Sequence, residues 1–105
     1  MNILPIVVTA SAAAAIREAE EWWSANRLSG STPLADEFER AFDLIASHPA
    51  VGARALNVRL SGVRRVHLSR IRYHLYYRLS PAGDCIDVLA FWHTSRDSEP
   101  AISDR

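Results

Sequence analysis

Hydrophobic and polar positions change period several times along the chain, and each change marks an element. The opening run from Met1 through Ile3-Leu4-Pro5-Ile6-Val7-Val8 is apolar and β-branched, which predicts a strand. Thr9 and Ser11 then offer N-cap oxygens to a stretch dominated by Ala and Glu with no breaker. Ala12, Ala15, Ile16, Ala19, Trp22 or Trp23, and Asn26 recur at three- and four-residue spacing, predicting a helix over about 11–28. Ser29-Gly30-Ser31 is a turn. Thr32 is placed to cap a second helix with Pro33 at its first position, where a missing N–H costs nothing. The stripe Leu34, Phe38, Ala41, Phe42, Ile45 belongs to that helix, which ends near His48-Pro49.

Beyond Pro49 the period shortens. Residues 50–62 are irregular, with Gly52 and Ser61-Gly62 as turn signals and a short strand possible at Leu56–Leu60. Three strand-like runs follow, at about 63–69, 72–79 and 85–92. In the middle run Tyr73, Leu75, Tyr77 and Leu79 alternate with Arg72, His74, Tyr76 and Arg78, the signature of one buried and one open face. Strict alternation in the last run sets Ile86, Val88, Ala90 and Trp92 against Asp87, Leu89, Phe91 and His93. Ser80-Pro81-Ala82-Gly83-Asp84 is a hairpin loop. The order is β-α-α-β-β-β: an α+β fold of two layers, with an antiparallel helix hairpin on one face of an antiparallel sheet. The opposite face is expected to be rich in Arg, His and Tyr.

A length of 105 residues suits one domain, with an ordered core over about 3–97 and a loose tail from Ser98. The single cysteine, Cys85, excludes an internal disulfide framework and reads as a small apolar strand residue. The opening lacks the basic region of a signal peptide, and no apolar run is long enough to span a bilayer, so the expected compartment is the cytoplasm, with no membrane partner. Net charge is zero but uneven. Residues 1–50 hold three Arg against seven carboxylates, whereas residues 51–98 hold eight Arg against three. All the basic residues are arginine, whose planar fork suits phosphate or carboxylate. An anionic partner is expected on that half, either nucleic acid or an acidic protein segment.

Particular segments carry a resemblance. Pro49-Ala50-Val51-Gly52 follows the second helix, and Gly62-Val63-Arg64-Arg65 opens the meander. Ile71-Arg72-Tyr73-His74-Leu75-Tyr76-Tyr77-Arg78 continues it, and Ile86-Asp87-Val88-Leu89-Ala90-Phe91-Trp92-His93-Thr94-Ser95-Arg96 ends it in His-x-x-Arg. In order and spacing these resemble the RelE/ParE toxin superfamily over roughly residues 3–97, closer to its ParE-like members. The resemblance implies a growth-inhibiting toxin of a type II toxin–antitoxin (plasmid stabilization) module, in hetero-oligomeric complex with a cognate antitoxin. ParE-like members poison DNA gyrase. RelE-like members cut messenger RNA on the ribosome without a metal. A third possibility is an inactive homologue that only binds its antitoxin and regulates transcription with it.

Metal-free RNA cleavage needs a base, a proton donor and cations at the phosphate. For that chemistry the candidates are Arg65, His93 and Arg96, with the last strand's imidazole as acid or base. Arg64, Arg72, His74, Tyr76, Arg78 and Phe91 are the expected contacts to target or antitoxin, with His67 projecting from the neighbouring strand. The same row also serves as an ordinary polar sheet surface. The histidines at 48, 67, 74 and 93 have no metal-ligand spacing, so neither metal nor other cofactor is expected. RelE-like nucleases often carry a Tyr or His in the C-terminal segment; residues 97–105 here have neither, and the chain has no lysine. These departures favour the ParE-like reading.

Overall fold

The computed structural model describes residues 3–26, 33–55, 60–68 and 71–94. Thr32, Arg96, the tail from Ser98, residues 56–59 and the side chain of Trp23 lie outside the described residues. The elements are β1 (Ile6–Val8), α1 (Ala10–Asn26), α2 (Pro33–Ser47), β2 (Ala53–Arg54), β3 (Arg64–Leu68), β4 (Tyr73–Leu79) and β5 (Ile86–His93). The α+β expectation holds, with two additions. A two-residue strand at Ala53–Arg54 joins the sheet, and β1 pairs with β5 in parallel. The sheet order is β1-β5-β4-β3-β2.

Thr9 joins strand to helix. Its Oγ1 accepts the Ala12 N–H at 3.3 Å and its carbonyl accepts the Ala13 N–H at 2.8 Å, so it is the N-cap of α1. Ala12 and Ala19 are buried and Ala15 and Ile16 half-buried, one helical stripe of mostly small residues against the sheet. On α2 Leu34, Phe38, Ala41 and Ile45 are buried toward the core, with Glu37 and Ala46 buried beside them, and the helix stops just before Pro49, which cannot continue it. Both stripes join Leu68, Leu75, Tyr77, Ile86, Val88 and Phe91 in one apolar cluster. The two helices therefore cover one face of the sheet, and His74, Tyr76 and Arg78 lie on the other.

The last strand departs from strict alternation. Tyr76 pairs with Ala90 but Tyr77 pairs with Val88, so Leu89 is an extra residue on β5. The phase reverses there: Ile86 and Val88 face the helices before the bulge, and Phe91 faces them after it. Ala90 and Trp92, expected beside Ile86 and Val88, pack instead on the far face with Tyr76 and Val63.

The segment after α2 is pinned to the sheet by a buried phenol. Tyr77 Oη donates to the Pro49 carbonyl at 2.7 Å and accepts the Gly52 N–H at 2.9 Å. Arg64 Nη1 donates to the Gly52 carbonyl at 2.8 Å. A Cβ on Gly52 would lie 2.7 Å from Tyr77 Oη and 2.8 Å from the Arg65 carbonyl oxygen, so only glycine fits. Burial pushes the Tyr77 phenol above its ordinary value of 10.0, against the Gly52 hydrogen bond and the nearby Arg64 charge.

Two outcomes follow for stability. Tyr77→Phe strips a partner from both Gly52 and Pro49 and should cost about 1–3 kcal/mol in urea unfolding. Gly52→Ala should cost a similar amount, about 1–3 kcal/mol, through overpacking. Because the folded phenol holds its proton more tightly than the unfolded one, its contribution is fully present below pH 10.0 and is lost as pH rises through the raised folded value. Tyr77→Phe should remove that part of the alkaline fall in stability.

Candidate functional site

The far face of the sheet is not a uniform cationic surface. Its centre is a second apolar cluster in which Val63 and Tyr76 are buried among Ala55, Leu60, Leu89, Ala90 and Trp92. Tyr76 is 1% exposed, so its ring is a packing element rather than an open contact. Arg78 pairs across the strands with Asp87, its Nε 3.9 Å from the carboxylate, which offsets its charge. At the β3 border Arg65, His67 and His74, exposed or half-exposed, line one groove.

Several expected positions move. Arg64 is register partner to Tyr77 and reaches Gly52, on the helix side of the sheet, because its neighbour Arg65 takes the far face. Arg72 is not in the strand row: it occupies the β3–β4 turn at φ 60° and is exposed, its carbonyl accepting the Thr94 N–H at 2.9 Å. Phe91, expected on the open face, is 4% exposed and sits in the main core, stacked on Tyr73 at 4.2 Å and near Phe38 at 4.9 Å. His93 follows it to the helix side and meets the Tyr73 ring edge-on at 4.9 Å. The bulge at Leu89 is the reason for both. Of the proposed catalytic set, Arg65 and His93 thus stand on opposite faces of the sheet, and Arg96 lies outside the described residues.

The groove beside Arg65 has a volume of about 470 Å³ and is completed by Leu44, Val51, Gly52, Ala53 and Val66. A second hollow of about 160 Å³ continues it between α2 and β3, walled by Glu37, Arg40, Ala41 and Leu44 against Val66, His67 and Leu68. Together they run along a free sheet edge. β2 pairs only with Arg64 and Arg65, and among the described residues no strand covers Val66, His67 and Leu68 on that side. Leu44 and Val51 are 43% and 47% exposed at the groove, large apolar side chains facing solvent. An apolar floor, cationic walls and unpaired backbone suit an extended, acidic peptide. Sequence reasoning missed Leu44, Val51 and Arg40. The available signal was the spacing of Arg40 and Leu44, one turn apart and off the buried stripe of α2. Among the described residues no helix is long and apolar enough to cross a membrane.

These placements separate packing from binding. Phe91→Ala should cost about 3–5 kcal/mol of stability in thermal or urea unfolding. His67→Ala, on the exposed border, should stay within about 0.5 kcal/mol of the parent.

Comparison with known proteins meets this geometry. No curated protein matches the sequence. Among solved structures, the chromosomal ParDE toxin–antitoxin system of P. aeruginosa superposes with a TM-score of 0.65 at 18% identity, covering 89% of this chain and 98% of that one. A mutant of the E. coli toxin RelE in the free state gives 0.56 at 17% identity, covering 90% and 86%. At such identities these likenesses speak for the fold. The sequence itself matches the model for the ParE toxin of the type II toxin–antitoxin system parDE over residues 6–98. That span takes in both helices and every strand from β1 to β5, and the chain accordingly belongs to the ParE toxin family of type II toxin–antitoxin systems.

Proposed function

We propose that this toxin acts by binding and poisoning a protein target, DNA gyrase, rather than by cutting RNA, and that a cognate antitoxin neutralises it in the cytoplasm. The separation of Arg65 from His93 by the thickness of the sheet is the observation that carries this reading. Metal-free phosphodiester cleavage requires its acid, base and cation to converge within hydrogen-bond reach of one phosphate. A pair on opposite faces does not meet that requirement. One observation favours the ribonuclease alternative: Arg65, His67 and His74 share a groove and include both cation and imidazole.

The antitoxin's seat is the trough along the free edge of β3. An extended segment there would add main-chain hydrogen bonds to Val66–Leu68, set an apolar side chain between Leu44, Val51 and Val66, and turn carboxylates toward Arg40 and Arg65. A short acidic reading frame adjoining this one is its expected source.

Induction of the toxin alone should arrest growth with a DNA-damage response and intact transcripts, and the purified protein should inhibit gyrase supercoiling. Transcripts cleaved during translation, with cleavage lost in His67→Ala or His74→Ala, would establish the ribonuclease instead. Normal growth would mark an inactive homologue that only binds its antitoxin. Leu44→Glu or Val51→Glu should weaken the antitoxin complex at least tenfold, about 1.4 kcal/mol, by calorimetry. Unchanged affinity in both would move the antitoxin elsewhere.

A further inference from the structure

Sequence spacing leaves the four histidines apart, but the β3–β4 ladder brings two of them together. His67 and His74 are direct register partners, with ring centroids 5.1 Å apart and ring planes 58° to one another. Both side chains project from the sheet face away from the helices and line the groove at the β3 edge; His67 is exposed and His74 half-buried. We propose that this pair chelates one divalent transition-metal ion of the imidazole-preferring class, with Zn²⁺ as the representative case.

The spacing of the two rings suits a shared ion. With Zn–N of about 2.0–2.1 Å and the imidazole centre about 1.1 Å behind the ligating nitrogen, two rings on a tetrahedral ion have centroids roughly 5 Å apart. The observed separation is the same to within a few tenths of an ångström. The ladder holds both Cα atoms in place, so little backbone freedom remains to be lost on binding. Zn²⁺, Ni²⁺ and Cu²⁺ all accept imidazole, whereas Mg²⁺ and Ca²⁺ prefer oxygen donors and would not compete.

Charge sets the limit on affinity. Among the described residues no third His, Cys, Asp or Glu completes a cluster, so the remaining positions fall to water or to a side chain of a bound partner. Arg65 lines the same groove and its positive charge opposes the ion. The site is therefore a micromolar, open one rather than a closed structural zinc centre. Because only neutral imidazole ligates, protons compete with the metal. The proposal does not depend on whether the toxin's target is gyrase or messenger RNA.

Titration of the full chain, free of any histidine tag, with Zn²⁺ at about pH 7.5 tests it by calorimetry. The expected result is one equivalent with a micromolar dissociation constant. His67→Gln and His74→Gln should each weaken binding tenfold or more, His48→Gln and His93→Gln should leave it unchanged, and Arg65→Ala should tighten it several-fold. Lowering to about pH 5.5 should abolish it. Circular dichroism checks that each variant is folded. NMR of the unmodified protein supplies a reading that needs no variant: zinc should shift the imidazole nitrogens of His67 and His74 together. Undiminished binding in a protein carrying both His67→Gln and His74→Gln, shifts at other histidines, or no saturable binding to the unmodified protein overturns the site.

Discussion

A single extra residue in β5 decides which side chains this protein shows to its surroundings. Strands alternate with a period of two, so inserting Leu89 opposite the Tyr76–Tyr77 step exchanges the faces of everything that follows. Phe91 enters the core between Tyr73 and Phe38, and His93 goes with it. Trp92 turns outward and, with Tyr76 and Val63, seals the middle of the far face. Thr9 holds the bulge in place from the neighbouring strand, its N–H donating to Val88 at 3.0 Å while its hydroxyl lies 3.4 Å from the Leu89 carbonyl. The residue that starts α1 is thus also the one that steadies the bulge.

The other border of the sheet is organised by Tyr77. Its hydroxyl ties Pro49 and Gly52 to β4, and Arg64 closes the same loop from β3. Among the described residues β2 pairs only with Arg64 and Arg65, and no strand lies on the outer side of the second half of β3. α2 stands beside that opening with Arg40 and Leu44. A structural hydrogen-bond cluster thereby shapes the groove, since the same loop that buries a phenol also presents Val51 to solvent. Free edges of this kind invite pairing with another chain, and the flanking charges restrict which chains are welcome.

For a toxin of this family the arrangement divides labour between the two halves of the chain. The acidic N-terminal half builds the helical layer, and the arginine-rich half builds the sheet and its polar border. The cations do not spread evenly over that border. Arg64 and Arg78 are engaged with Gly52 and Asp87, and Arg65, His67 and His74 line the groove. The groove-lining polar residues form a strip along β3 rather than a broad face, a shape that suits a narrow, extended partner.

The order of the helices and the longer strands, the cap at Thr9, the stripe of α2, the faces of β4 and the hairpin loop after Leu79 were all legible in the residues, because each rests on local spacing or local turn chemistry. So was the division of charge. Three things lay beyond it. The bulge at Leu89 depends on how β5 meets β4 and β1, and nothing in the apolar run Val88 to Trp92 marks where a phase change falls. The parallel pairing of β1 and the free edge of β3 are properties of which strands become neighbours. The meeting of His67 with His74 needs the register of a hairpin, which the spacing of two histidines does not encode. Local preferences are written along the chain, whereas register and edge exposure arise only when distant segments compete for the same hydrogen bonds and the same core.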